Sequence, residues 1–299
     1  MDTTKTDTRV VSLCTGYGGI DIGLRRVLPS CRTILACEVE AYAIANYLQK
    51  VEEERCGDPF PIWSDIKTLP LEVIPEGHEV TQFGWPCQPF SLSGKKRADE
   101  DPRHLFPHIK NAIRVTKPQY LFGENVPGII TAKLSGDYWS DPAGTPVLLH
   151  VCRELERIGY TSTWGIFSAS EVGLPHERQR VFVFGKRQDA QPLPVAHSEG
   201  ESTQGTHYAN QRRANPLDRI QVEPRGSNLR CGTRPARPGE PRADGELPRI
   251  HKRGLAGAAN GAGGRVDTFP TERITLLGNG VVPATAALAF RTLYKELSE

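Results

Sequence analysis

The sequence lacks any apolar run long enough to cross a bilayer. The longest near either end, Val281 to Phe290, has ten residues and is interrupted by Pro283, whereas a spanning helix needs about 20. A Cys-x-x-Cys pair is also missing. The seven cysteines, Cys14, Cys31, Cys37, Cys56, Cys87, Cys152 and Cys231, are odd in number and scattered, which argues against a zinc site or a disulfide framework and predicts reduced thiols and no metal. Met1 to Arg9 is polar and has no basic-then-apolar leader pattern, so a cytoplasmic protein without membrane attachment is expected. There is no internal repeat. Against these absences stand 299 residues, 38% hydrophobic and 24% charged. That is too apolar for a wholly disordered chain and long enough for one large α/β domain or two smaller ones.

Net charge is only +2, but it is uneven. Lys186 to Arg265 holds 12 Arg and 2 Lys against 8 acidic residues, a net of +6, which leaves −4 on the rest. The same segment has 11 Gly and 8 Pro, few aliphatics, and Tyr208 as its sole aromatic, too little for a core of its own. It reads either as a solvated linker or as a nucleic-acid-contacting insert whose arginines neutralise phosphates.

The first part of the chain alternates strand and helix signals. Arg9 to Cys14 is a short apolar run, followed by a turn at Gly16, Gly18 and Gly19 and a helical period from Ile20 to Leu28. Thr33 to Cys37 and Glu40 to Lys50 repeat the pair. Further strands are expected at Glu79 to Gly84, Gln119 to Gly123, Tyr160 to Phe167 and Arg180 to Gly185, with helices at His104 to Thr116 and Pro146 to Ile158. The alternation predicts a parallel, doubly wound α/β sheet over residues 1–185. A last helix, Ala284 to Leu297 behind Pro283, is expected to dock on it.

Three constellations carry chemistry. The Gly16, Gly18, Gly19 turn lets a ligand approach backbone amides, and Glu38, some 20 residues on, can accept ribose hydroxyls. Gly-x-Gly-Gly differs from the dinucleotide spacing and favours a nucleoside cofactor without phosphates, although a structural turn remains open. Cys87, in Gly84-Trp85-Pro86-Cys87-Gln88-Pro89, follows a strand, at the sheet end where open α/β folds build their sites; it is either a nucleophile or an inert core thiol. Glu124, at the end of the next strand, would sit beside it as an acid, or serve only as a cap or ion pair. Arg178 and Arg180 alternate along an extended segment and so face one side; solvated strand-edge arginines are the other reading.

Taken in order, Ser12-Leu13-Cys14-Thr15-Gly16-Tyr17-Gly18-Gly19, Glu38, Ser64-Asp65-Ile66, Pro86-Cys87-Gln88, Glu124-Asn125-Val126, Arg178-x-Arg180 and Gly278-Asn279-Gly280-Val281-Val282-Pro283 make the chain resemble the DNA (cytosine-5) methyltransferases. The resemblance implies a Rossmann-like S-adenosylmethionine-dependent fold with a small, loop-rich DNA-recognition insert. Its parts would be a catalytic domain (1–185), a variable insert (186–268) and a C-terminal segment returning to the catalytic domain (269–299). It implies that Cys87 attacks carbon 6 of a cytosine flipped out of duplex DNA and that Glu124 acts at ring nitrogen 3. Arg180 would bind the base's carbonyl oxygen, and Arg178 would brace the site or a phosphate. Cys14, Gly16, Tyr17, Gly18, Gly19, Glu38, Val39, Asp65, Ile66, Pro86 and Asn279 would line the S-adenosylmethionine site. Extrusion is required because stacking hides both faces of the base. A bacterial or phage modification system, a cognate restriction endonuclease as partner and a monomeric state are expected. The alternatives are an RNA (tRNA) cytosine-5 methyltransferase and a catalytically impaired DNA-binding remnant.

Three departures stand out. Cys14 and Val39 occupy positions where the family often has aromatics, which predicts weaker adenine stacking. His176 follows Pro175 where Gln is usual. Thr268 to Leu277 is short for the segment that organises the recognition region, which predicts a minimal or truncated insert.

Overall fold

The computed structural model describes residues 7–53, 57–85, 105–134, 139–196 and 278–298. Along them run β1 (Thr8–Leu13), α1 (Gly19–Val27), β2 (Cys31–Cys37), α2 (Ala41–Glu52), β3 (Ile62–Trp63), β4 (Val80–Gly84), α3 (Phe106–Thr116), β5 (Tyr120–Asn125), α4 (Val147–Arg157), β6 (Tyr160–Ser168), β7 (Gln179–Arg187) and α5 (Pro283–Glu296). Most of the insert read from the basic segment lies outside the described residues.

The strands form one sheet in the order β3-β2-β1-β4-β5-β7-β6. The first five are parallel. An entirely parallel sheet is not what forms, because β7 runs antiparallel to both β5 and β6. The cause is the length of the link: β6 and β7 are joined by Ala169 to Arg178 with one 3-10 turn, too short for the crossover that parallel neighbours require. Strand order reverses between β1 and β4, so a crevice opens at their C-terminal ends, the switch point where open α/β sheets bind ligands.

Alternation along the strands, shifted once in β2 where Ile34 is skipped in the pairing with β1, assigns the two faces. Val11, Leu13, Leu35, Phe83, Leu121, Val181 and Val183 pack with Phe106, Ile109 and Ile113 of α3 and Leu148, Val151 and Leu155 of α4. Val10, Val80, Phe122, Phe182 and Phe184 pack with Ile20, Leu24 and Val27 of α1 and Ala286, Phe290 and Leu293 of α5. Phe290 sits edge-on to Phe122 and Phe184, each at 5.2 Å between centroids; emptying such a position costs about 3–5 kcal/mol. The helix that ends the described chain is therefore part of the same core as the first one. At Gly23 the approach is so close that an added Cβ would lie 2.7 Å from the Pro283 carbonyl oxygen.

Candidate active site

β1 delivers the chain into a turn that only unusual backbone can make. Cys14, Gly16 and Gly18 all have positive φ, 53°, 58° and 78°, and Gly18 caps α1. A non-glycine residue in this region costs about 1–2 kcal/mol, so Cys14 is a local strain point. A Cβ on Gly18 would fall 2.5 Å from the Tyr47 ring, whereas one on Gly16 would meet nothing within 4 Å among the described residues. The space over the Gly16 Cα is thus open to a ligand. The Gly16 amide donates to Glu38 Oε2 at 2.6 Å, and Glu38 Oε1 accepts the amides of Val39 and Glu40 at 2.9 and 3.0 Å. Both carboxylate oxygens are fixed by backbone, and Oε2, which accepts one N–H where Oε1 accepts two, keeps a lone pair that a ribose hydroxyl can use.

Around that carboxylate stand the other cofactor candidates. The Glu38 amide donates to the Trp63 carbonyl at 2.9 Å, which brings the end of β3 alongside. Asp65 Oδ1 accepts the Lys67 amide at 2.9 Å; Ile66 is buried in the face shared with α3 and α4, and Val39 is exposed. The Cys14 thiol is pushed well up by burial and by the nearby Glu38, Cys37 and Asp65, so it is no nucleophile.

The Gly278 to Val282 segment closes on the same turn. Tyr17 donates its hydroxyl to the Val281 carbonyl, and Lys50 lies 4.3 Å over the Tyr17 ring. A Cβ on Gly280 would come within 1.7 Å of that ring, and one on Gly19 within 2.4 Å of the Val281 oxygen. Arg178 Nη2 donates to the carbonyls of Gly278, at 2.6 Å, and Gly280, while Arg180 Nη2 reaches Gly278 at 3.3 Å. Asn279, between those carbonyls, is exposed.

Glu124 occupies the sheet end next to this turn. It is the register partner of Gly84 across β4 and β5, and its side chain is 8% exposed. Arg180 Nε lies 2.9 Å from its Oε1. Burial pushes the carboxyl up to about 7, against the pull of the Arg180 and Arg178 guanidinium groups; a group poised there can hold or release a proton near neutrality. The alternating exposure of Glu177 to Arg180 is why both arginines reach one region. Cys87 and Pro86 lie outside the described residues. The chain leads toward them from Trp85, which is buried against Phe83 and Phe106 and whose carbonyl accepts Asn125 Nδ2 at 3.3 Å.

Sequence reasoning gave Asn125 no task and missed two buried networks. Asp21 is 1% exposed beneath the Gly16 turn; the available signal was an acid set beside Ile20 and Leu24 on a helix whose other buried side chains are apolar. Asp141, His150 and Glu154 bring potential ligand atoms within 4.8 Å of one another. Lys110, Arg153 and Arg157 bond those two carboxylates, so the cluster is a cation-saturated ion-pair network that ties the approach to α4 onto α3 and α4.

Residues 8–228 match the family described as C-5 cytosine-specific DNA methylase. Among curated relatives, Type II methyltransferase M.NlaX of Neisseria lactamica is 30% identical over 179 residues, 59% of this chain and 51% of that protein. Type II methyltransferase M.HgiCII of Herpetosiphon aurantiacus is 29% identical over 181 residues, 60% of this chain and 37% of that protein. The chain spans about half or less of the curated relatives it matches. The solved structure of S. pombe Dnmt2 methyltransferase aligns at TM-score 0.46 and 21% identity, over 65% of this chain and 58% of that one.

Proposed function

The chain belongs to the C-5 cytosine-specific DNA methylase family, and from that premise we propose that it methylates carbon 5 of cytosine in duplex DNA, with S-adenosylmethionine as donor and Cys87 as covalent nucleophile. The observation that carries the reading is Glu124: a buried carboxyl poised near 7, ion-paired to Arg180 and paired in register with Gly84, the residue that stands three positions before Cys87 in the sequence.

The cofactor fits the residues present. The open space over Gly16, the backbone-fixed Glu38 carboxylate and the half-buried Asp65 offer the room and the acceptors that an amino acid, a ribose and an adenine need. When bound, S-adenosylmethionine supplies an electrophilic methyl group. Gly16 to Gly19 and Asn279 would hold its amino-acid end, Glu38 its ribose, and Asp65 with Ile66 its adenine, flanked by Cys14, Val39 and Pro86.

The chain's own work is to make an aromatic carbon nucleophilic. The Cys87 thiolate adds to carbon 6 of an extruded cytosine, forming a carbon–sulfur bond, while Glu124 gives its proton to ring nitrogen 3, so that the electron pair is delivered to carbon 5 as an enamine. Arg180 bonds the base's carbonyl oxygen and holds Glu124. After carbon 5 is alkylated, loss of its proton to a base expels Cys87 as thiolate and restores the aromatic ring. Arg178 keeps the Gly278 to Gly280 carbonyls in place over the cofactor turn. The basic 186–268 segment would supply the phosphate and base contacts, and a cognate restriction endonuclease is the proposed partner in the cell.

The test is transfer of labelled methyl from S-adenosylmethionine to unmethylated genomic DNA, with bisulfite sequencing and Cys87→Ser as control. Label at cytosines in a fixed context, lost in the folded control, is the expected result. Label entering transfer RNA in place of duplex DNA, or surviving Cys87→Ser, would overturn the proposal.

A further inference from the structure

Asp21 is buried in the first turn of α1, yet it touches no reacting group in the mechanism above. Its carboxylate ties three strands together: Oδ2 accepts Ser12 Oγ of β1 at 2.9 Å and Gln82 Nε2 of β4 at 3.2 Å, and Oδ1 accepts Thr33 Oγ1 of β2 at 3.1 Å. Ser12 and Gln82 are register partners on adjacent strands, and their even positions face α1. Gln82 also donates to Ser12 Oγ. From Ser12 the chain of bonds continues toward the turn. Ser12 Oγ meets Thr15 Oγ1 at 2.8 Å, Thr15 Oγ1 reaches the Ser12 carbonyl at 3.0 Å, and the Thr15 amide donates to Cys37 O at 3.1 Å. Thr15 is the residue before Gly16, and Cys37 the residue before Glu38. The Asp21 relay therefore ends on the two backbone positions that set the contact between the Gly16 amide and Glu38.

Burying a carboxylate among neutral donors costs stability unless each bond is made. Here burial raises the carboxyl pKa and the hydroxyls of Ser12, Tyr47 and Thr33 oppose that rise. An apolar residue would fill the space, as Leu24 and Val27 do on the same helix, but could not reach Thr15 by hydrogen bonds.

We propose that Asp21 is a positioning residue for the cofactor: through Ser12 and Thr15 it holds the strained Cys14 to Gly18 backbone so that the Gly16 amide and the Glu38 carboxylate are presented ready-made. The proposal rests on reading this turn as the S-adenosylmethionine site. It separates two bonds of the same kind on the two sides of one carboxylate. Ser12 leads to the turn, and Thr33 leads away from it.

The experiment measures S-adenosylhomocysteine affinity by isothermal titration, with melting temperatures, for the full chain and its Ser12→Ala, Thr33→Val, Asp21→Asn and Asp21→Asn/Gln82→Glu variants. Thr33→Val removes one buried hydrogen bond, about 1 kcal/mol, whereas Ser12→Ala removes the three that Ser12 Oγ makes with Asp21, Gln82 and Thr15, so Ser12→Ala should melt lower and affinities are compared well below both melting temperatures. Ser12→Ala is expected to weaken binding about tenfold and Thr33→Val less than about twofold, with the KM for cofactor rising in Ser12→Ala and the KM for duplex unchanged. Asp21→Asn can keep its Oδ1 on Ser12 and Gln82 and turn its NH2 to the Thr33 hydroxyl, so it should bind nearly as the unmodified chain does, whereas the double variant draws that NH2 to the new carboxylate at position 82 and takes the acceptor away from Ser12, so it should lose affinity as Ser12→Ala does. Equal losses in Ser12→Ala and Thr33→Val, or no loss in either, would overturn the positioning role even if Asp21→Asn fails to fold. No binding by the unmodified chain would instead sink the cofactor reading, and this inference with it.

Discussion

Replacing Arg180 by Met should make the stability of this protein fall with pH above neutrality, and the structure sets the size of the effect. Glu124 is buried, its carboxyl stands at about 7, and Arg180 Nε is 2.9 Å away. In the unfolded chain the same carboxyl titrates near 4.5. Between those values the folded protein holds a proton that the unfolded chain has released. Stability therefore falls as pH rises across that window, by about 3 kcal/mol in all, and is flat above about pH 7. Arg180→Met keeps most of the volume but removes the charge that favours the carboxylate, so the folded-state value climbs and the decline continues. Each further pH unit costs the variant about 1.4 kcal/mol that the parent does not lose. At about pH 8.5 the difference between the two should exceed its value at pH 7 by about 2 kcal/mol, or about 4–8 °C in melting temperature. Urea unfolding of both proteins at several pH values measures this, repeated with Glu124→Gln in each. A stability difference that is the same at all pH values, or a pH dependence that survives Glu124→Gln, would refute the argument that this pair is coupled through the buried carboxyl.

Gly280→Ala should weaken cofactor binding at least about tenfold, because the new Cβ would be placed 1.7 Å from the Tyr17 ring and either the ring or the closing segment must move; titration calorimetry with S-adenosylhomocysteine reads it, and unaltered affinity would contradict the closed geometry. Glu38→Gln puts an amide NH2 where one of two carboxylate oxygens now accepts backbone N–H groups, so affinity should fall by roughly tenfold or more, with the KM for duplex unchanged. Arg-to-Ala changes within Arg212 to Arg253 should weaken DNA binding and flatten its dependence on salt, by about one unit of log–log slope for each phosphate that is no longer neutralised. Binding that is insensitive to those changes would return the segment to a plain linker.

What the sequence determined by itself is the local order. Short apolar runs and helical stretches with their glycine and proline punctuation placed β1, β2, β4, β5, β6 and β7, and the five helices named above, within a few residues, because central strands buried on both faces are apolar throughout and helices buried on one face carry the helical period. The Gly16, Gly18, Gly19 turn was legible for the same reason: positive φ at Gly16 and Gly18 leaves few residue types to choose from. The two-residue β3 left no periodic trace, and the antiparallel insertion of β7 was decided by which strand edge a short link could reach. Asp21, Gln82 and Asn125 were invisible as site-builders, since their partners lie 9 to 70 residues away in sequence. Only the folded sheet brings Glu124 within 2.9 Å of Arg180 and lets Arg178 grip carbonyls a hundred residues downstream. A side chain's type is written in the chain, but its charge state and its partner depend on the burial and proximity that tertiary structure creates.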